Sequence, residues 1–343
     1  MARLPSCLVA APVRSRSSSL WLSRISSGMK ILIVGAGALG GYFGARLLQA
    51  DRDVTFLVRP RRAAQLAKTG LVVRSKLGDA HIPSPPHVLA ENVSGPYDLI
   101  LVGCKAYDLV PTMESFASAV GPGTAILPFL NGMKHLDSLS ERFGAQHVLG
   151  GLAMISASLD DDGVVLHLNE THVLAYGELG GARSPRIDAI AATFAGANFD
   201  ARATNTIVQE LWEKWVFIAT LGGITSLMRG LVGDIERAGA ADLALALLDE
   251  CSAIAASQGY APRATVLERG RKLFTAPGST LTASMMKDIE RGAPIEADHI
   301  VGDLLARRVG SANEPSLLRI VYAHLKSYEA RRAREIKPLA SNQ

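Results

Sequence analysis

The stretch from Met29 to Ala50, MKILIVGAGALGGYFGARLLQA, constrains this chain more than any other. Lys30 to Val34 is a short apolar run of strand-forming residues. Gly35-Ala36-Gly37-Ala38-Leu39-Gly40 follows at once and fits G-x-G-x-x-G. Beyond it, Phe43, Leu47 and Leu48 are spaced to bury one face of a helix. Each glycine in such a turn has a separate task. The first permits the tight bend, the second lets backbone approach a pyrophosphate, and the third lets helix and strand pack closely. The helix N-terminus then presents free N–H groups and a positive dipole end to the phosphates. A glycine motif alone is weak, but strand and helix flank it here, so the stretch predicts a dinucleotide site.

The strand that follows narrows the cofactor. Asp53 to Val58 reads as the second parallel strand and ends in Arg59-Pro60-Arg61-Arg62. An NAD-specific site would carry an acid there for the ribose 2′-hydroxyl. A guanidinium instead suits a 2′-phosphate, through its charge and planar donor fork. Arg59 therefore predicts NADPH as cofactor, against the plainer reading of a solvated basic loop.

At 343 residues the chain has room for two domains. Further strands are expected at Asp98 to Gly103, Thr124 to Phe129, Val148 to Ser158, Gly163 to Glu170 and His172 to Gly177, the last closing the sheet. Leu71 to Glu91 reads as an irregular connection with room for a hairpin. From Ser184 onward the pattern is helical, and no second strand series is expected. The prediction is an α/β Rossmann-type domain over 29–204, then an all-α domain over 205–331 and a tail over 332–343.

Charge excludes one class of partner. The formal net charge is +4, but Arg3, Arg14, Arg16 and Arg24 lie among residues 1–28, which contain no acid. Without them the chain is neutral, so no nucleic-acid surface is predicted. No apolar run is long enough to span a bilayer, and no membrane partner is expected. Cys7, Cys104 and Cys251 are too scattered for a disulfide or metal framework, which points to a reducing compartment. Residues 1–28 read as a disordered tail or a start assigned too early, with Met29 as the natural first residue. A transit peptide is the alternative. The expected location is cytoplasmic, or mitochondrial if that segment is a transit peptide.

Three polar residues stand where chemistry would be found. Lys105 follows the strand ending at Gly103, where open α/β sheets bind ligands; its plainer reading is a surface lysine. Asn131, before Gly132, ends the next strand and reads equally as a turn residue. Lys214 lies within Glu210-Leu211-Trp212-Glu213-Lys214-Trp215-Val216-Phe217. Bulky apolar neighbours would desolvate it and lower its pKa toward that of a working proton donor. Periodicity alone favours an exposed lysine there.

Taken together, these motifs give the stretch from Met29 to about Arg331 a family likeness. It resembles the ketopantoate reductase (2-dehydropantoate 2-reductase) family in the glycine turn, Cys104-Lys105-Ala106, Asn131-Gly132-Met133 and the Lys214 helix. The likeness extends to Ala283-Ser284-Met285-Met286-Lys287-Asp288-Ile289 and Pro294-Ile295-Glu296-Ala297-Asp298. The resemblance implies a Rossmann domain followed by a helical domain like the C-terminal one of 6-phosphogluconate dehydrogenase. It implies NADPH-dependent reduction of a small 2-oxo acid, 2-dehydropantoate to (R)-pantoate. Lys214 would be the general acid, with Glu296 holding substrate hydroxyl and lysine in place. Ser284 would contact the substrate carboxylate, Asn131 would bridge cofactor and substrate, and Lys105 would lie near both. Gly35, Ala36, Gly37, Ala38, Leu39, Gly40 and Arg59 would bind the cofactor. Plainer readings make Ser284 a helix N-cap and Glu296 a solvated helix-start carboxylate. An apolar helical domain is compatible with a homodimer.

One departure bears on substrate. In the best-known members, asparagines follow the lysine on the same helix face. Here those positions are Ile218 and Gly222, which makes the pocket locally apolar. Another 2-oxo acid, bulkier or lacking a hydroxyl, is the alternative substrate. A cofactor sensor without turnover is a third reading, and the joint presence of Lys214, Ser284 and Glu296 argues against it.

Overall fold

The computed structural model describes residues 21, 28–310 and 315–336. The expectations for the remaining positions of 1–28, and for 337–343, lie outside the described residues. Trp21, however, is 7% exposed and joins an apolar cluster of the nucleotide-binding half. Trp21 is therefore part of that packed core.

Five parallel strands form the first sheet, in the order β5-β2-β1-β6-β7. They are β1 (Ile31–Val34), β2 (Val54–Leu57), β5 (His87–Val88), β6 (Leu99–Val102) and β7 (Ala125–Pro128). All residues of β1, β6 and β7 are buried, which is why these runs are apolar without alternation. Ile31 to Val34 stand in register with Val54 to Leu57 on one side and Leu99 to Val102 on the other. The order reverses at β1, so the crevice at its carboxyl end is the ligand position of such sheets. Helix α1 (Ala38–Gln49) leaves from that point, and α2 (Pro60–Thr69) leaves from the end of β2. Pro60 starts α2, where its missing N–H is harmless.

A second sheet was only partly legible. β3 (Leu71–Arg74) and β4 (Ala80–Ile82) form a hairpin within the connection expected to be irregular. The two strands expected at Gly163 to Glu170 and His172 to Gly177 are one, β9 (Val165–Glu178). It does not close the parallel sheet. It pairs with β8 (Leu149–Leu159), β3 and β10 (Asp200–Ala203) in a sheet of its own. β10 corrects the expectation that no strand follows Ser184. Its sequence, DARA, has neither branched nor aromatic residues, and it forms because α5 (Pro185–Phe194) delivers it beside β9.

The helical part is built on α6 (Ile207–Met228), whose buried residues lie on nearly every side. It packs against α8 (Ala241–Ser257), α10 (Ser284–Glu290) and the final helix. A short α7 (Val232–Arg237) precedes α8, and α9 (Ala264–Phe274) follows it. Within the stretch expected to be helical, a π-helical turn, Asp298–Gly302, is continued by α11 (Asp303–Ala306). The final helix, α12 (Leu317–Ile336), runs past the expected tail boundary at 332. Among the described residues no helix is long and apolar enough to cross a membrane.

Candidate active site

The glycine turn sits at the carboxyl end of β1, and Gly35 N–H donates to the Leu57 carbonyl at 2.9 Å. Gly35 has φ of +93°, a conformation that L side chains rarely adopt. A Cβ on Gly40 would overlap the Gly35 carbonyl oxygen, so helix and strand meet here only because that atom is missing. A Cβ on Gly37 would meet nothing within 4 Å. That open side is where a pyrophosphate can approach the backbone. No acid occupies the first turn of α1, leaving its dipole end uncompensated. These residues fit a dinucleotide.

Arg59 caps α2 at the end of β2, beside the glycine turn. Its side chain is 70% exposed, with Nη2 3.2 Å from Asp108 Oδ2. Arg62, not singled out from sequence, is held more firmly. Its Nε donates to the Ala36 carbonyl and its Nη1 to the Gly163 carbonyl, both at 2.8 Å. It ties the glycine turn to the β8–β9 turn. The only prior signal was the density of arginines after β2.

The direct contacts of Glu296 are with a second lysine. Glu296, 7% exposed, accepts from Ala106 N–H at 3.0 Å and lies 3.3 Å from Lys105 Nζ. Asp288 Oδ2 is 3.1 Å from the same ammonium. Glu296 therefore holds Lys105 and the start of the segment after β6, rather than bonding Lys214. Burial works against the Lys105 charge, but Glu296 and Asp288 outweigh it and its pKa is raised. Asp288 lay inside the recognised segment, yet nothing in sequence separated it from a surface acid.

Lys214 is half-buried in the wall of α6, and its Nζ donates to the Ala153 carbonyl of β8 at 2.9 Å. Desolvation lowers its pKa to about 8, with the Glu296 charge pulling the other way. The exposed-lysine reading is thus wrong. The α6 face that carries Lys214 is covered by the second sheet, a contact periodicity cannot reveal. Cys104, by contrast, is pushed up to about 11, mainly by burial, and stays a thiol.

Asn131 is half-buried after β7. Ser284 is exposed and is the first residue of α10, whose N-cap is Ala283. It is therefore free of the capping role. α10 lies against α6, where a Cβ on Gly222 would come 2.9 Å from the Met285 methyl and 3.9 Å from Ala283 Cβ. Met285 and Ala283 thus cover the helix backbone where a polar side chain would otherwise project.

Comparison with known proteins decides the kinship. Residues 31–181 match the family described as "Ketopantoate reductase PanE/ApbA" and residues 206–329 its C-terminal counterpart. The chain belongs to this family. It is accordingly an oxidoreductase of a pyridine-nucleotide-dependent group, with a Rossmann-like domain followed by a helical one. The oxidoreductase YkpB of Bacillus subtilis, uncharacterized by its own description, is 35% identical over 303 residues, covering 88% of this chain and 99% of that protein. A 2-dehydropantoate 2-reductase of Archaeoglobus fulgidus is 30% identical, covering 81% and 90%. The crystal structure of 2-dehydropantoate 2-reductase from Geobacter metallireducens superposes with a TM-score of 0.78 at 30% identity, over 87% of this chain and 99% of that one. A D-mandelate dehydrogenase solved with NADH and anilino(oxo)acetate shares the fold, with a TM-score of 0.79 at 21% identity.

Proposed function

We propose that this protein reduces a 2-oxo acid to the 2-hydroxy acid with NADPH, and that 2-dehydropantoate, giving (R)-pantoate, is the first substrate to test. The observation that carries the reading is Lys214, whose ammonium burial brings to a pKa of about 8 within the field of Glu296, while Glu296 itself bonds the segment that follows β6. Such a group gives up a proton readily near neutral pH. The bound nicotinamide supplies the hydride. Lys214 Nζ donates its proton to the keto oxygen as negative charge develops there. Glu296 and Lys105 form the polar wall on the nucleotide side, where Glu296 accepts a substrate hydroxyl. Ser284 receives the carboxylate, and Asn131 bridges cofactor and substrate. The glycine turn, from Gly35 to Gly40, binds the pyrophosphate. Arg59 turns from Asp108 to the 2′-phosphate, and Lys105 lies near both ligands. In this reading residues 29–204 bind cofactor and 205–331 complete the substrate pocket, and the helical part provides the surface for a homodimer.

A second reading keeps the chemistry and changes the acid. Ile218 and Gly222 continue the Lys214 face at helical spacing, and the Met285 methyl and Ala283 lie against the second of them. This wall offers no side-chain hydrogen bond, which favours a 2-oxo acid without a hydroxyl in its tail. Following NADPH absorbance with 2-dehydropantoate beside a panel of 2-oxo acids separates the two. Turnover of 2-dehydropantoate at low KM sinks the second reading. Absence of turnover with every acid, despite NADPH binding, sinks both.

A further inference from the structure

Two buried histidines meet where the nucleotide-binding and helical parts touch. His135 lies in the first turn of α4 (Lys134–Phe143) and is 0% exposed; His299, in the π-helical turn, is 8% exposed. His135 Nδ1 lies 3.3 Å from His299 Nε2, with ring centroids 5.5 Å apart. One of these nitrogens must donate and the other accept. The remaining nitrogen of His135, Nε2, is buried with no partner among the described residues.

Both rings are tied to the candidate site. His135 follows the Asn131-Gly132-Met133 turn by two residues, and His299 follows Glu296 by three. The Asn131 backbone favours the charged form of the His299 ring, against its burial. Gly132, at φ +75°, lies flat against it, and a Cβ there would fall 2.8 Å from both His299 Cδ2 and the His299 carbonyl oxygen. On its other side the π-helical turn is anchored to α6, where the Trp215 indole donates to the Ile300 carbonyl at 2.8 Å. Trp215 is the neighbour of Lys214.

The chemistry of the pair favours geometry over stability. Burial lowers the pKa of both rings. His299 and Lys214 lower His135 further. For His299, Glu296, Asp303 and the Asn131 backbone oppose burial without reversing it, and Lys134 adds to it. The pair is neutral, with one N–H shared between two nitrogens. Two apolar side chains would fill this space without desolvating ring nitrogens or leaving one unpaired. What they would lack is a bond with a fixed direction and length.

We propose that His135 and His299 are positioning residues that lock the Asn131 turn onto the turn following Glu296, keeping the two sides of the candidate site in register. This rests on the reductase reading, which gives Asn131 and Glu296 their roles. Neither histidine is given a contact with the reacting atoms in that reading.

The test uses the full chain carrying His135→Leu, His299→Leu or the conservative His299→Gln, with two readouts. Amide hydrogen exchange in 131–136 and 296–303 is expected to quicken about tenfold in both Leu variants, with the rest of the chain unchanged and thermal stability equal or higher. With the best 2-oxo acid, kcat is expected to fall about tenfold while NADPH affinity holds within about twofold, and His299→Gln recovers part of the loss. If the wild-type protein reduces no 2-oxo acid, the reductase reading fails and the exchange data still decide the pair. Unchanged exchange in either segment overturns the proposal, whatever the activity. Leu variants that fail to fold also overturn it, because a pair serving geometry should cost stability.

Discussion

Replacing Lys214 by methionine, similar in length and uncharged, should cost activity and spare or raise stability. A pKa lowered from 10.5 to about 8 means the folded protein holds the ammonium at a penalty of roughly 3 kcal/mol, at about 1.36 kcal/mol per pKa unit. The charged hydrogen bond to Ala153 returns about 1.5–3 kcal/mol of this. Lys214→Met should therefore change stability at pH 7 by about 0 to +2 kcal/mol, a rise in Tm of at most roughly 5 °C for a chain of this size. The sign has its own pH signature. The folded pKa lies below the unfolded one, so between about pH 8 and 10.5 the unfolded wild-type chain binds more protons, and wild-type stability climbs with pH. Any advantage of the variant should shrink across that window. Meanwhile kcat should fall by about 10²–10⁴, the range for a lost general acid, with NADPH affinity nearly unchanged. Thermal unfolding at pH 7 and pH 10, paired with steady-state kinetics, checks both halves. A Tm lowered by more than about 5 °C at pH 7, or a retained kcat, would refute the argument that Lys214 is a desolvated acid kept for chemistry.

Three further outcomes follow from the same geometry. Glu296→Gln removes the charge that raises the Lys214 pKa and half of the Lys105 clamp. The alkaline limb of the reduction rate should therefore move to lower pH by about one unit, and a limb that stays put or moves up contradicts this. Arg59→Ala, which removes a side chain 70% exposed and paired with Asp108, should weaken NADPH binding about tenfold and leave NADH binding alone, since a charged hydrogen bond is worth roughly 1.5–3 kcal/mol; equal losses for both cofactors would remove it from 2′-phosphate recognition. Gly40→Ala should destabilise the protein by about 1–3 kcal/mol or more and abolish cofactor binding, because its Cβ would overlap the Gly35 carbonyl. Urea unfolding and fluorescence titration with NADPH read both effects.

The parts of this protein that could be read from sequence are those whose cause is local. The run Ile31 to Val34 is buried on both faces, so its apolarity is continuous, and the glycines after it answer to a turn and a helix within ten residues. β10 was invisible for the opposite reason, since DARA is a strand only because β9 lies beside it. The site divides along the same line. Lys105 and Asn131 stand at strand ends, where topology alone marks them. Lys214 is shifted by burial, with its hydrogen-bond acceptor 61 residues away and the opposing charge of Glu296 82 residues on. Glu296 in turn spends its bonds on Lys105 and Ala106. That partnership explains how one carboxylate serves both lysines. It neutralises Lys105 by direct contact, raising its pKa, and reaches Lys214 only through its field, where desolvation wins and the pKa falls. Two lysines under the influence of one carboxylate are thereby pushed apart in acidity. In the proposed reading the first is a fixed cation suited to hold a negative group, and the second is the proton donor. Such a division of labour needs three residues from three elements, and no window of sequence contains them together.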